Sequence, residues 1–302
     1  MDTVVNFPEF KQLELSDRDV LHPRIWAFQP QTSELTFGNL YIWRSYYNFE
    51  WSVLDECLVL LGHDREGATF VLPPIGPGNR ADVTYRLLAW MRDERGVDVP
   101  KISRASQRLV NDIGDDVRFA VTETRDHFDY VYLTEHLSRL AGRKYSSKRN
   151  HINQFKRYYD FEYLPITPSL VDDCLALAEI WCEQRLCEED LSLQHELCGI
   201  QDMLGNFETL KVDGGAILVQ GKVQAFALGE LLNESTVVIH IEKANPEFKG
   251  IYVKMTQAYT ERWEDATTHA NLEQDRGEPG LRRAKKSYYP DHLSEKFEIT
   301  LA

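Results

Sequence analysis

Apolar residues recur along this chain with two periods. Spacings of three and four mark helices, and alternation or short apolar runs mark strands. Asp82 to Gly96 carries Val83, Leu87, Leu88 and Met91 on helical spacing, and Ser103 to Ile113 reads as a further helix. Leu170 to Glu183 repeats the pattern with Leu175, Leu177, Ile180 and Trp181, and Leu191 to Asn206 and Gly250 to Arg262 follow. Leu133 to Tyr159 reads as a helical connector, Leu281 to Ser287 as a short helix, and Asn39 to Tyr46 as one resting on Leu40 and Trp43. Ser16 before Asp17 and Asp19 suits a helix start within Leu15 to Val20, because a hydroxyl and carboxylates there meet unpaired N–H groups. Cys57 to Leu61 and Ala68 to Leu72 read as strands joined by the polar turn Gly62 to Gly67, before Pro73, Pro74, Gly76, Pro77 and Gly78 stop regular structure. Phe128 to Tyr132 reads as a short strand. Gly215 to Gln220 and Lys222 to Leu232 form a hairpin about Gly221, and Thr236 to Glu242, Thr268 to Leu272 and Phe297 to Leu301 complete the strands.

The second half thus runs helix, helix, strand, strand, strand, helix, strand, helix, strand, and the first half is a looser version of that order. No repeat is visible at the residue level. The alternation predicts an α/β or α+β fold with a central mixed sheet. A chain of 302 residues is long for one core. The expected division is residues 1–132, a basic helical connector at 133–160, and a second domain at 161–302.

Composition narrows the function. Hydrophobic residues at 43% and charged residues at 27% are a globular balance, and the net charge of -14 repels nucleic acid and anionic membranes on average. The connector is the local exception, with Arg139, Arg143, Lys144, Lys148, Arg149, Lys156 and Arg157. The five cysteines form no CxxC pair, so reduced thiols are expected rather than a zinc site or disulfide framework. Met1 to Lys11 has no apolar signal core, and no stretch approaches the roughly 20 apolar residues of a membrane span. A cytoplasmic protein without an integral membrane segment is expected. The histidines form no HExxH, and no GxSxG, Walker loop or GxGxxG occurs. Metal catalysis, serine hydrolysis, P-loop chemistry and Rossmann-type hydride transfer therefore lack support.

The chemistry-bearing residues concentrate between Thr236 and Tyr289. Period-two alternation would put His240 and Glu242 on one face of their strand, with Val237, Ile239 and Ile241 on the other. Lys249, Gly250 and Ile251 then open a helix, where free N–H groups could hold a phosphate; an ordinary helix start is the plainer alternative. Asn271, Glu273 and Asp275 would share one face at the carboxyl end of the next strand, where open α/β sheets place ligands, or would cap the helix at Gly280. Arg282, Arg283, Lys285 and Lys286 put four cations within five residues, suited to phosphates or a carboxylate, or to a solvated helix end. Tyr288 or Tyr289 could protonate a leaving group, or be a buried tyrosine with a satisfied hydroxyl. The aromatic run Phe37 to Trp51 could stack a base or fill a core.

Three ordered stretches resemble a known family. They are Phe37-Gly38-Asn39-Leu40-Tyr41-Ile42-Trp43-Arg44; Gly142-Arg143-Lys144-Tyr145 with Lys148-Arg149-Asn150-His151-Ile152 and Phe155; and Asn271-Leu272-Glu273-Gln274-Asp275 continuing through Gly280-Leu281-Arg282-Arg283-Ala284-Lys285 to Ser287, Tyr288 and Pro290. Together they look like a bacterial family sharing the C-terminal domain of phosphatidylglycerol lysyltransferases. The resemblance implies an α+β fold of two tandem GNAT-like (acyl-CoA N-acyltransferase) domains, each a mixed central sheet flanked by helices, similar also to Fem-type enzymes. It implies no permanently bound cofactor and a phosphate-rich acyl donor, either acyl-CoA or aminoacyl-tRNA, with an amine or hydroxyl acceptor. By resemblance, Lys285 matches a lysine of the closing motif, and Gly250 sits where the GNAT phosphate loop opens its helix. The expected roles are Glu242, or Glu273 through water, as proton acceptor, Tyr288 as acid, and Lys249, Gly250, Ile251, Arg283 and Lys285 as the donor-binding set. The GNAT loop carries more glycines than this one, which keeps open a non-catalytic, GNAT-derived ligand-binding module.

Overall fold

The computed structural model describes residues 4–64, 67–185, 187 and 191–302, without the side chain of Ser192. Arg65 and Glu66 of the expected turn, and the first three residues of Met1 to Lys11, lie outside them. In chain order the elements begin β1 (Lys11–Gln12), α1 (Arg18–Phe28), α2 (Phe37–Tyr47), β2 (Glu50–Leu54), β3 (Cys57–His63), β4 (Thr69–Val71), α3 (Arg80–Asp93), β5 (Lys101–Ser106), α4 (Gln107–Ile113) and β6 (Phe119–Glu123). They continue β7 (Asp129–Leu133), α5 (Thr134–Arg139), α6 (Ser146–Tyr158), β8 (Phe161–Pro165), α7 (Val171–Gln184), α8 (Leu191–Gly205), α9 (Phe207–Leu210), β9 (Asp213–Val219), β10 (Lys222–Asn233), β11 (Thr236–Ala244), α10 (Ile251–Glu261), β12 (His269–Asn271), α11 (Pro279–Lys286), β13 (His292–Ser294) and β14 (Lys296–Leu301).

The chain forms two compact units: Met1–Asp129 with Gln274–Pro279 and Leu293–Ala302, and Tyr130–Glu273 with Gly280–His292. This differs from the sequential division at 132 and 160. The basic connector is not a linker, because α5 and α6 pack on α10 within the second unit. The closing strand β14 lies in the first unit, between β5 and β6. Backbone pairing decides where a strand goes, and chain order does not.

In the first unit the sheet order is β1-β2-β3-β4-β5-β14-β6. All its pairs are antiparallel except β4 with β5, where Val71 faces Ile102. β3 is buried from Cys57 to Gly62, as expected of a central strand covered on both faces. α3 supplies Val83, Leu87, Leu88 and Met91 to a core that also holds Val59, Leu61, Val71 and Ile299. Asn79 caps α3 by accepting a hydrogen bond from Asp82 N at 3.1 Å. Ser103 to Ile113 is not one helix: strand β5 runs to Ser106 and α4 starts at Gln107. Pairing with β14 holds that segment extended.

The second sheet has the order β13-β7-β12-β11-β10-β9-β8, with β11 and β12 parallel. The hairpin about Gly221 and the helix after it form as expected. α7 buries Cys174, Leu177, Ala178 and Cys182, one stripe of its surface. α10 is buried on most sides and packs on α5, α6, β9, β10 and β11. The expectation of five reduced thiols is corrected. Cys182 and Cys187 are joined in a disulfide, while Cys57 and Cys174 are buried free thiols and Cys198 an exposed one. Each unit therefore contains a strand, a helix and a parallel strand in sequence: β4-α3-β5 and β11-α10-β12. No helix among the described residues is long and apolar enough to cross a membrane.

Candidate active site

The site is built where β11 outruns its parallel partner. β12 pairs only with Thr236, Val237 and Val238, so the remainder of β11 is free of that neighbour. On its other side β11 pairs with β10, and the register shifts between Leu228 and Gly229. Ile241 faces Leu228, Ile239 faces Gly229, and His240 is the extra residue of a bulge.

That bulge overturns the expectation that His240 and Glu242 share a face. Glu242 pairs with Ala227, on the side of β10 where a side chain at Gly229 would meet Tyr259 Oη of α10. Glu242 accordingly lies against α10, and Thr256 Oγ1 stands 3.0 Å from each of its carboxylate oxygens. His240 bonds instead to Glu230, which alternates to the other face of β10: Nε2 to Oε1 is 3.2 Å, and Nδ1 to Glu273 Oε1 is 2.7 Å. With a carboxylate on each nitrogen the imidazole holds both protons, and His240 is pushed up to about 9 despite its burial. Glu273 is thus committed to an imidazolium. Its strand stops at Asn271, whose Oδ1 accepts Glu273 N at 2.7 Å, and Glu273 takes φ 58°. Asn271, Glu273 and Asp275 therefore do not line one strand face as expected.

Glu242 is the raised carboxyl of the site. Burial pushes its carboxyl up to about 7, opposed by the Thr256 hydrogen bond and by the positive charges of Lys285 and Lys148. Lys148, from α6, lies with Nζ 3.5 Å from the centre of the Tyr288 ring, and desolvation brings it down to about 8. Tyr288 is buried and held above the ordinary tyrosine range by desolvation and by Glu242, with Thr256 bonded to its hydroxyl. Its backbone is pinned, since Tyr145 Oη donates to Tyr288 O at 2.9 Å. Lys285 Nζ donates to Leu272 O, and Tyr132 Oη donates to Lys285 O at 2.8 Å. Four groups from β11, α6, α10 and the segment around α11 therefore converge: Glu242, Thr256, Lys148 and Tyr288, with Lys285 close enough to act on Glu242 electrostatically.

The other expected donor-binding residues are placed differently. Lys249 and Arg283 are exposed. Ile251 is buried, and its N–H already donates to Phe248 O at 3.0 Å. Gly250 has φ 91°, and a Cβ there would stand 2.3 Å from His151 O. The space this glycine keeps is filled by α6 of the same unit. Sequence reasoning missed Lys148 and Thr256. Lys148 was in view within the second family-like stretch, but it was read as connector charge.

The sequence pattern of phosphatidylglycerol lysyltransferase C-terminal domains matches residues 27–300. The chain belongs to that family. Its fold is the expected α+β pair of tandem GNAT-like domains. A conserved protein of unknown function from Bacteroides thetaiotaomicron VPI-5482 is 33% identical and superposes with TM-score 0.89 over 97% of this chain and 99% of that one. The structure named L-PGS, from Bacillus licheniformis, is 15% identical with TM-score 0.55, covering 80% of this chain and 81% of its own. FemX is 9% identical with TM-score 0.59 over 97% and 96%. The last two likenesses bear on fold alone. No curated protein matches this sequence.

Proposed function

We propose that this family member is an acyl- or aminoacyltransferase that uses Glu242 as its general base. The observation that carries the reading is a partly buried carboxyl raised to about 7, hydrogen-bonded by Thr256 and flanked by Lys148 and Tyr288. A base poised near neutrality both accepts and releases a proton at working pH. The acceptor's N–H or O–H gives its proton to Glu242 as its lone pair forms a bond to the donor's carbonyl carbon. The bond from that carbon to the donor's oxygen or sulfur then breaks. Lys148, titrating near 8, or Tyr288, neutral at pH 7, returns a proton to the leaving group. Lys148 and Lys285 also supply positive charge for the developing oxyanion, and Arg283 and Lys285 are the cations offered to donor phosphates.

Between the two donors, aminoacyl-tRNA is favoured over acyl-CoA. Family membership supports it, and the space at Gly250 is taken by His151 O rather than left for a pyrophosphate. The same observation favours the second reading, a ligand-binding module without chemistry. The test is to incubate the full chain with a mixed aminoacyl-tRNA pool or with acyl-CoAs, plus amine and hydroxyl acceptors, and follow deacylated tRNA or free thiol. Acceptor-dependent release that disappears in Glu242→Gln supports the enzyme. Release at the spontaneous rate with every donor, or full activity in Glu242→Gln, refutes it.

A further inference from the structure

The second unit carries another cluster of titratable side chains, at the other end of its sheet. β11 and β12 run parallel with Thr236 beside His269, so His269 lies six strand residues, about 20 Å, from the level of Glu242. Asp291 and His292 lie just before and at the start of β13. Asp291 Oδ2 is 2.9 Å from His292 Nδ1 and 3.7 Å from His269 Nε2, and the two imidazole rings cross at 80° with centres 5.4 Å apart. One donor atom from each residue falls within 4.8 Å of the other two.

We propose that His269, Asp291 and His292 form an exchangeable site for a borderline divalent transition metal, Zn²⁺ in the first instance. Two imidazoles and one carboxylate select zinc, cobalt, nickel or copper over magnesium and calcium, which prefer all-oxygen sets. Zinc bonds of about 2.0–2.2 Å put neighbouring donors roughly 3–3.5 Å apart. The triad reaches that spacing if side-chain rotation shifts its donor atoms by roughly 1–2 Å, and all three side chains have the room, being partly exposed. The backbones beneath them are fixed. His269 pairs with Leu133 of β7, and Asp291 N donates to Val131 O of the same strand at 2.8 Å. A bound ion would tie β12 to the start of β13 across β7, with open positions left to water.

A second observation points to a cation at this end. A cavity of about 340 Å³ begins at Thr268, the residue before His269, and carries Glu135, Glu234, Glu264 and Asp265 against the single cation Arg139. Such a concave acidic surface concentrates cations locally. The inference does not rest on the transferase reading.

The test is calorimetric titration of the full chain with Zn²⁺, together with the visible spectrum of the Co²⁺ form. One ion per chain is expected. Asp291→Asn should weaken binding by about tenfold or more, and His269→Gln with His292→Gln should abolish it. Glu242→Gln should bind as wild type, which separates this site from the transferase residues. No binding by the wild type, or binding by Asp291→Asn and the double variant equal to wild type, overturns the proposal. If the double variant fails to fold, His292→Gln alone decides: its side chain is half exposed, and unchanged affinity there is equally fatal.

Discussion

Each unit buries charge, and each resolves that burial differently. In the first unit Lys296 and Asp129 are both 0% exposed, with Lys296 Nζ 2.6 Å from Asp129 Oδ1 and 2.7 Å from Glu34 Oε1. Asp129 also accepts hydrogen bonds from Ser33 N at 2.8 Å and Ser33 Oγ at 3.0 Å. Arg104 stands 3.7 Å from Glu34 and donates to Tyr47 Oη at 2.7 Å. Two carboxylates meet two cations, and Lys296 is held charged above its ordinary range, while burial raises the Glu34 carboxyl against the opposing pull of Lys296 and Arg104. In the second unit desolvation raises Glu242 to about 7, opposed by the Thr256 hydrogen bond and by Lys285 and Lys148, and no ion pair to it occurs among the described residues. A neutralised network fixes structure, while an incompletely neutralised carboxyl keeps a proton to exchange. The two positions are related in the fold: Arg104 and Glu273 each follow the last parallel-paired residue of their strand by two and each has a positive φ, 60° and 58°.

Breaking the first network should give the largest effect. Lys296→Ala leaves buried Asp129 without its cation and Glu34 with Arg104 alone, and should cost about 3–5 kcal/mol in urea unfolding. Glu242→Gln should do the reverse, with stability at pH 7 equal to or above wild type and transfer falling by about 10²–10⁴-fold. An activity loss matched by a stability loss would erase the contrast between the units.

The pH dependence sharpens the comparison. The Glu242 carboxyl is raised from 4.5 to about 7 in the folded chain, so the folded state binds the extra proton between those values. Its favourable contribution is complete below about 4.5, declines as pH rises, and is gone above about 7. The difference in unfolding free energy between wild type and Glu242→Gln should therefore slope only across that window. Activity should move oppositely, rising through about 7 as the base form appears. It should fall again above about 8 if the Lys148 cation is needed. Rate profiles of wild type and Lys148→Met check the two limbs separately.

Gly250→Ala should be the smallest effect, a loss of about 1–3 kcal/mol from strain at φ 91° and contact with His151 O. Donor affinity should be unchanged in molecules that remain folded. A selective loss of donor binding with normal stability would restore the phosphate-cradle role for this glycine.

Much of the second unit was readable from local pattern. The hairpin about Gly221, the β-branched run of β11 and the stripe of α7 each depend on near neighbours in sequence. So did Glu242 as a candidate, because a carboxylate inside an apolar strand stands out. Its face was misread because a bulge is set by the pairing of β10 with β11, which alternation in one strand does not reveal. Glu273 and Gly250 had sequence-level roles that the structure directs to His240 and to His151 O. Lys148 and Thr256 carry no local signal, since a lysine in a basic helix and a threonine in an amphipathic one look ordinary.

By itself, then, the sequence determined the α+β class, the family and the stretch holding the chemistry, since periodicity, turn residues and ordered motifs are properties of short segments. The tertiary structure alone decided which strand closes which sheet, that the basic connector packs into a unit, and that Glu273 pairs with His240 while Glu242 lies against Thr256. Those outcomes depend on long-range strand pairing and on how completely each buried charge is neutralised.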